Sequence, residues 1–183
     1  MKQTKLSVRE MCHIAIFTAV IVAFAMMPPI PLPGGVPITL QSWAIALAGL
    51  VLGPKNGALA ALTYVLLGAA GAPVFAGFTG GMGVILRPTG GFILSFPLVA
   101  LLAGLGERKD GLRWTVSGLV AGTLVNWLCG MLWLSWVLSV NLQAAFVMAV
   151  APFIIPAALR CALLPAIGAG VKAALRKARM ATS

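Results

Sequence analysis

Charged clusters and Gly/Pro runs cut the chain into six apolar blocks, near residues 11–27, 38–53, 57–72, 90–105, 113–137 and 147–171. Each block comes close to the ~20 apolar residues a helix needs to cross a hydrocarbon layer. The pattern therefore predicts an all-α membrane protein of six transmembrane helices, with residues 1–183 forming a single integral membrane domain.

Composition strengthens that reading. Of 183 residues, 61% are hydrophobic and 9% charged, against roughly a quarter charged in a soluble domain. Thirteen Lys and Arg against three Asp and Glu give a net charge of +10, but no basic cluster is interleaved with aromatics, so nucleic acid is not an expected partner. Lys2, Lys5, Arg9, Lys55, Arg108, Lys109, Arg113, Lys172, Arg176, Lys177 and Arg179 all fall on one side if there are six spans. Because cytoplasmic loops carry the excess of Lys and Arg, this places both termini in the cytoplasm, with the bundle in the cell's inner membrane. The acids Glu10, Glu107 and Asp110 fall on the same side. A second reading takes the basic start and the Ala23-Phe24-Ala25 triplet as a secretory leader, whose removal would leave five spans in the same orientation. An intact mass beginning at Met26 would identify it.

The outer segments carry unusual backbone. Residues 28–37 contain five prolines, Pro28, Pro29, Pro31, Pro33 and Pro37, which forbid a continuous helix and imply a lid-like loop. Residues 71–91 are rich in glycine yet apolar. Non-helical backbone at membrane depth must be buried in protein or line a cavity, since lipid cannot satisfy its polar groups.

The two basic residues left over lie in or near this outer half. Arg87 precedes Pro88-Thr89-Gly90-Gly91, with Thr89 placed to cap the fourth helix, so a guanidinium and a helix N-terminus could together hold a carboxylate or phosphate. Snorkelling to headgroups is the structural alternative. Arg160 lies within the sixth block, where a charge costs ~2.5–3.5 kcal/mol and no acid is available to neutralise it. It must find carbonyls, water or an anionic ligand. Thr39, Gln41, Tyr64, Thr79 and Asn126 could orient a polar head, although interhelical hydrogen bonding would also account for them. Trp43, Phe75, Phe78 and Phe92 could wall an apolar pocket, while Trp133 and Trp136 suit an outer aromatic belt and Trp114 an inner one.

Ala15, Ala19 and Ala23 recur every fourth residue and form a smooth stripe on the first helix. Spacing alone favours packing inside the bundle over docking on another protein. His13 has no nearby carboxylate or thiol partner and fits the inner interface. Cys12, Cys129 and Cys161 are far apart and read as packing residues, so neither a disulfide nor a metal site is expected. With no Asp or Glu in any block, acid–base chemistry and a proton relay are disfavoured and the chain is not expected to be an enzyme. It has no GxxxxGK[ST] loop and no visible 3 + 3 repeat, so any pumping would be energised by partners.

The stretch at residues 36–96 resembles the BioY family, the biotin-binding S component of energy-coupling factor (ECF) vitamin transporters. Its most specific pieces are Pro37-Ile38-Thr39-Leu40-Gln41, Leu52-Gly53-Pro54, Gly71-Ala72-Pro73-Val74-Phe75 and Pro88-Thr89-Gly90-Gly91. The resemblance implies six helices, an outward-facing pocket holding biotin under the loop after helix one, and an alanine face at Ala15 and Ala19 that docks on a transmembrane T subunit with two ATPases. ATP would be used only by those partners, and the chain would need no cofactor of its own. Three positions depart from the family pattern: Arg87 stands where glycine is common, Thr79 where Asn is frequent, and Pro156-Ala157-Ala158-Leu159-Arg160-Cys161 lacks the Asp and Lys of a PGDxxK-like segment. Arg87 or Arg160 is accordingly expected to replace the missing positive contact to the valerate carboxylate. A ligand-free scaffold and a stand-alone facilitator of another small carboxylate are the alternative functions.

Overall fold

A computed structural model describes residues 6–32, 36–109 and 111–181, with the backbone alone for 178–181. Lys2, Lys5, Pro33, Asp110 and the side chain of Arg179 lie outside the described residues.

Helix α1 (Val8–Ala25) begins three residues before its predicted start because Ser7 and Glu10 form a capping box. The Glu10 amide donates to Ser7 Oγ at 3.2 Å, and the Ser7 amide donates to Glu10 Oε2 at 2.9 Å. Its inner face, Ile14, Phe17, Ile21 and Ala25, joins the core. Thr18 Oγ1 on that face donates to the carbonyl of Ala60 at 3.2 Å.

Helices α2 (Gln41–Leu52) and α3 (Pro54–Ala69) are separated by Gly53 alone, whose φ of 82° is reached cheaply only by glycine. Pro54 sits at the first helical position, where its missing N–H costs nothing, so α3 starts at 54 instead of the expected 57. A short α4 (Met82–Ile85) interrupts the glycine-rich outer segment. Helices α5 (Gly90–Glu107) and α6 (Leu112–Leu138) match the fourth and fifth predicted blocks closely.

The sixth block is placed wrongly by the hydropathy pattern. Residues 147–171 divide between α7 (Leu142–Ala149), a 3-10 turn (Ala151–Phe153) and α8 (Ile154–Ala181). Asn141 starts α7 by accepting from the Ala144 amide at 2.8 Å. Val150 leaves helical geometry, and Pro152 and Pro156 fall where a new helix is beginning and no amide is needed. The basic tail then extends α8 because Ala, Lys and Arg are strong helix formers.

The count of six equal spans is also not exact. Among the described residues, four segments are long and apolar enough to cross a membrane: Val8–Ala25, Gly90–Glu107, Leu112–Leu138 and Leu142–Lys177. By contrast α2 has 12 residues and α3 has 16, which at 1.5 Å per residue gives about 18 Å and about 24 Å. The all-α membrane architecture stands.

Glycines set how closely the helices approach. A Cβ on Gly106 or on Gly118 would lie 2.8 Å from the other glycine's Cα, so α5 and α6 cross backbone to backbone. On Gly49 it would lie 2.2 Å from the carbonyl oxygen of Ala100, tying α2 to α5. Gly118→Leu must force α5 from α6 and is expected to destabilise the folded chain by at least ~1–3 kcal/mol. Gly170→Ala, with open space around it, serves as the neutral control. Thermal unfolding in detergent, read as the loss of monodisperse protein, distinguishes the two.

Candidate ligand-binding site

The loop following α1 folds back through paired backbone hydrogen bonds between Ile30 and Ile38, both 2.9 Å. This sets Val36, Pro37, Ile38 and Thr39 as one wall of a cavity of about 340 Å³. The first turn of α2, the 70–81 loop, α4 with its following turn, the first turns of α5, Asn126 and Trp127 of α6, Phe153 and the start of α8 complete it. Segments far apart in sequence thus converge at one end of the bundle.

Ten of the twelve residues offered from sequence for the pocket line this cavity: Thr39, Gln41, Trp43, Phe75, Thr79, Arg87, Thr89, Phe92, Asn126 and Arg160. Tyr64 does not. It is fully buried behind the wall, where its Oη accepts from Gln41 Nε2 at 2.6 Å and its ring meets Phe75 edge-on at 5.5 Å. Gln41 Oε1 in turn accepts from Thr39 Oγ1 at 3.1 Å. Tyr64 therefore holds two lining residues in position and presents nothing to the cavity itself.

The glycine-rich loop is a compact turn. Phe75 and Thr79 pair through their backbones, and Gly77 and Phe78 between them adopt φ of 70° and 57°. Phe78, at a left-handed position on the tip, is turned outward and 65% exposed, so it does not wall the pocket as expected. Phe75 turns inward over Gly68, where a Cβ would meet its ring at 2.1 Å. Thr79 Oγ1 donates to the carbonyl of Ala76 at 3.0 Å, which leaves its oxygen able to accept.

Thr89 occupies the N-cap position of α5 but its side chain caps nothing, because its backbone is already helical (φ −81°, ψ −9°) after the α4 turn. Gly90 and Gly91 bring the helix start against α4 and α6, since a Cβ on Gly90 would lie 1.6 Å from the carbonyl oxygen of Ile85 and one on Gly91 2.4 Å from that of Cys129. Trp133 Nε1 donates to the carbonyl of Arg87 at 3.0 Å. One member of the supposed outer belt thus also fixes the turn carrying Arg87, while Trp136 stays 71% exposed, as a belt residue would.

Asn126 Nδ2 donates to the carbonyl of Phe92 at 3.1 Å and to Ser95 Oγ at 2.7 Å. With both amide hydrogens directed at α5, its remaining function is its acceptor oxygen. Arg160 is almost wholly buried, 4% exposed. Its Nη1 donates to the carbonyl of Ser42 at 3.2 Å and its Nη2 to Thr123 Oγ1, while its buried Nε makes no hydrogen bond with the described residues. Arg87, by contrast, is exposed at the mouth, and its guanidinium bonds to none of the described residues. Among the described residues, two guanidiniums and no carboxylate line the cavity. Its walls are otherwise mostly apolar, with Trp43, Phe92 and Phe96 prominent. Such a lining suits an organic anion, with its charge toward the arginines and its body among the rings.

A model of the BioY family matches residues 1–177. The chain belongs to the BioY family. It is 49% identical over 129 residues to a probable biotin transporter BioY of Pyrococcus horikoshii, covering 70% of this chain and 76% of that one. It is 42% identical over 147 residues to the biotin transporter BioY of Thermotoga maritima, covering 80% and 85%. The biotin transporter BioY2 of Lactococcus lactis is 33% identical over 178 residues, covering 96% and 95%. The 2.1 Å crystal structure of the S-component for biotin from an ECF-type ABC transporter matches with a TM-score of 0.82 at 26% identity, covering 94% of this chain and 95% of that one. The likeness that residues 36–96 carry thus extends over residues 1–177.

Sequence reasoning overlooked several parts of this site. Ser42 supplies a carbonyl, Thr123 a hydroxyl and Ser95 an acceptor, and Phe153 and Trp127 are walls. Thr123 was within reach, since it lies one helical turn before Asn126 on the same face of α6. Phe153 was not, because it belongs to the 3-10 turn that the hydropathy pattern hid.

Proposed function

We propose that this chain is a biotin-capturing S component of an ECF transporter. It sits in the cytoplasmic membrane with both termini inside, binds biotin in the 340 Å³ cavity at the outer face and delivers it with a T subunit and ATPase partners. The single observation that supports this most strongly is Arg160: a buried guanidinium in the cavity wall with an unmet Nε–H, which suits the valerate carboxylate. Apolar walls suit the thiophane ring and alkyl chain. Thr39, Thr79, Thr89 and the Asn126 oxygen offer the neutral donors and acceptors a ureido group needs. The orientation rests on charge, since Lys55, Arg108, Arg113, Lys172 and Arg176 belong to the end away from the cavity. The alanine stripe offers the T subunit a smooth helix face, and ATP is consumed by the partners alone.

The test is a titration of the purified chain with biotin, biotin methyl ester, thiamine and riboflavin, together with mass spectrometry of any small molecule that copurifies. Biotin should bind tightly, its uncharged ester at least ~10-fold more weakly, and the other vitamins not at all, a charge-assisted bond being worth about 1.5–3 kcal/mol. Absence of biotin binding would leave a scaffold. Biotin uptake into vesicles holding this chain alone would make it a facilitator.

A further inference from the structure

A second hollow, of about 440 Å³, opens between α3 and α5 at the end away from the ligand cavity. Its walls are apolar, from Ala58, Leu59 and Leu62 on α3 and Leu101 and Leu105 on α5. Pro97 closes it toward the bundle's middle, and Lys55 and Arg108 stand at its other end. Leu62 and Leu105 are both more than 40% exposed, so the hollow opens sideways onto the surface a bilayer covers.

The charges at that end are not equivalent. Glu107, next to Arg108, is engaged by Lys172 and by Thr115 Oγ1, and so contributes no free negative charge. Lys55 lies in the field of Glu10. Arg108 is exposed, and its guanidinium makes no hydrogen bond or ion pair with any described residue. The groove thus pairs an apolar slot with cationic groups at one end, which is the charge and shape complement of one anionic phospholipid. Its phosphate would meet Arg108 and one acyl chain would lie along the leucines. Basic pockets between transmembrane helices on the cytoplasmic side are the usual seats of anionic headgroups.

We propose that this groove binds an anionic phospholipid of the inner leaflet at a defined site, separate from the vitamin cavity. The arrangement would hold the α3–α5 flank at a fixed depth in an anionic membrane. The proposal stands whether or not biotin is the cargo.

The experiment is native mass spectrometry of the full chain with phosphatidylglycerol and phosphatidylcholine of identical acyl chains. Phosphatidylglycerol should be retained roughly five-fold better, the effect of one basic residue beside an anionic headgroup. Arg108→Gln should abolish that preference, and Arg113→Gln, an exposed cation outside the groove, should keep it. Ala58→Trp, which fills the slot, should reduce retention of both lipids, and soluble glycerol phosphate should not compete. Equal retention of the two lipids, an equal loss in the Arg113→Gln variant, or displacement by glycerol phosphate would overturn the proposal. Biotin binding should be unchanged in the Arg108→Gln variant, which shows the chain still folded.

Discussion

Arg160→Ala is expected to weaken biotin binding by about 2–5 kcal/mol, roughly 30-fold or more, the range for removing one member of a buried hydrogen-bonded charge pair. The size follows from burial. A guanidinium held away from water by Thr123 and the Ser42 carbonyl meets a carboxylate with little screening, and its unpartnered Nε gains a hydrogen bond when the anion arrives. Arg160→Lys should recover only part of the loss, because an ammonium keeps the charge but not the planar fork. Arg87→Ala should cost much less at equilibrium, since this residue is exposed at the mouth. Its loss should appear as slower association that is sensitive to salt. Titrations of the three variants check all of this, and unchanged affinity in both alanine variants would refute the role of the arginines.

Ala19→Leu is expected to abolish copurification with the T subunit while leaving biotin affinity as it was. Spacing alone pointed the alanine stripe into the bundle and the resemblance pointed it at a partner; Ala15, Ala19 and Ala23 are all exposed, and the bundle is contacted instead by Ile14, Phe17, Thr18 and Ile21. An exposed small-residue face lets another helix come close enough for backbone packing, and one leucine at its centre prevents that approach. Met11 and Ile16, 48% and 57% exposed, flank the stripe and would be covered in such a complex. A complex recovered intact from the Ala19→Leu variant would move docking to another surface.

The helices were legible where hydropathy alone decides the outcome. α5 and α6 lie within two residues of their predicted bounds, because Gly90 and Gly111 mark sharp starts and the residues between are apolar. α1 and α3 were shifted by local chemistry that the pattern does not weigh, the Ser7–Glu10 capping box and Pro54 at a helix start. The sixth block failed because residues 142–171 are apolar almost throughout, so nothing in hydropathy marks the break at Val150; the prolines at 152 and 156 were the signal. Most of the site was visible as polar residues stranded in apolar surroundings. What the sequence could not show was which of them face the cavity and which stand behind it: Tyr64 and Phe78 have the same chemistry as true lining residues, and only packing separates them. The direction of the alanine stripe was hidden for the same reason, since a period of four defines a face but not what it faces.

The shortness of α3 has a mechanical consequence. At about 24 Å its leucine-covered side, Leu62, Leu66 and Leu67, falls below the ~30 Å of a hydrocarbon layer, whereas α6 with 27 residues exceeds it. Along α3 the lipid must therefore thin, flanking side chains must reach out to the interface, or the protein must lean. Each adjustment carries a cost of fractions of a kcal/mol per ångström. Its size should vary with the length of the surrounding acyl chains, growing as the slab thickens beyond the span of α3.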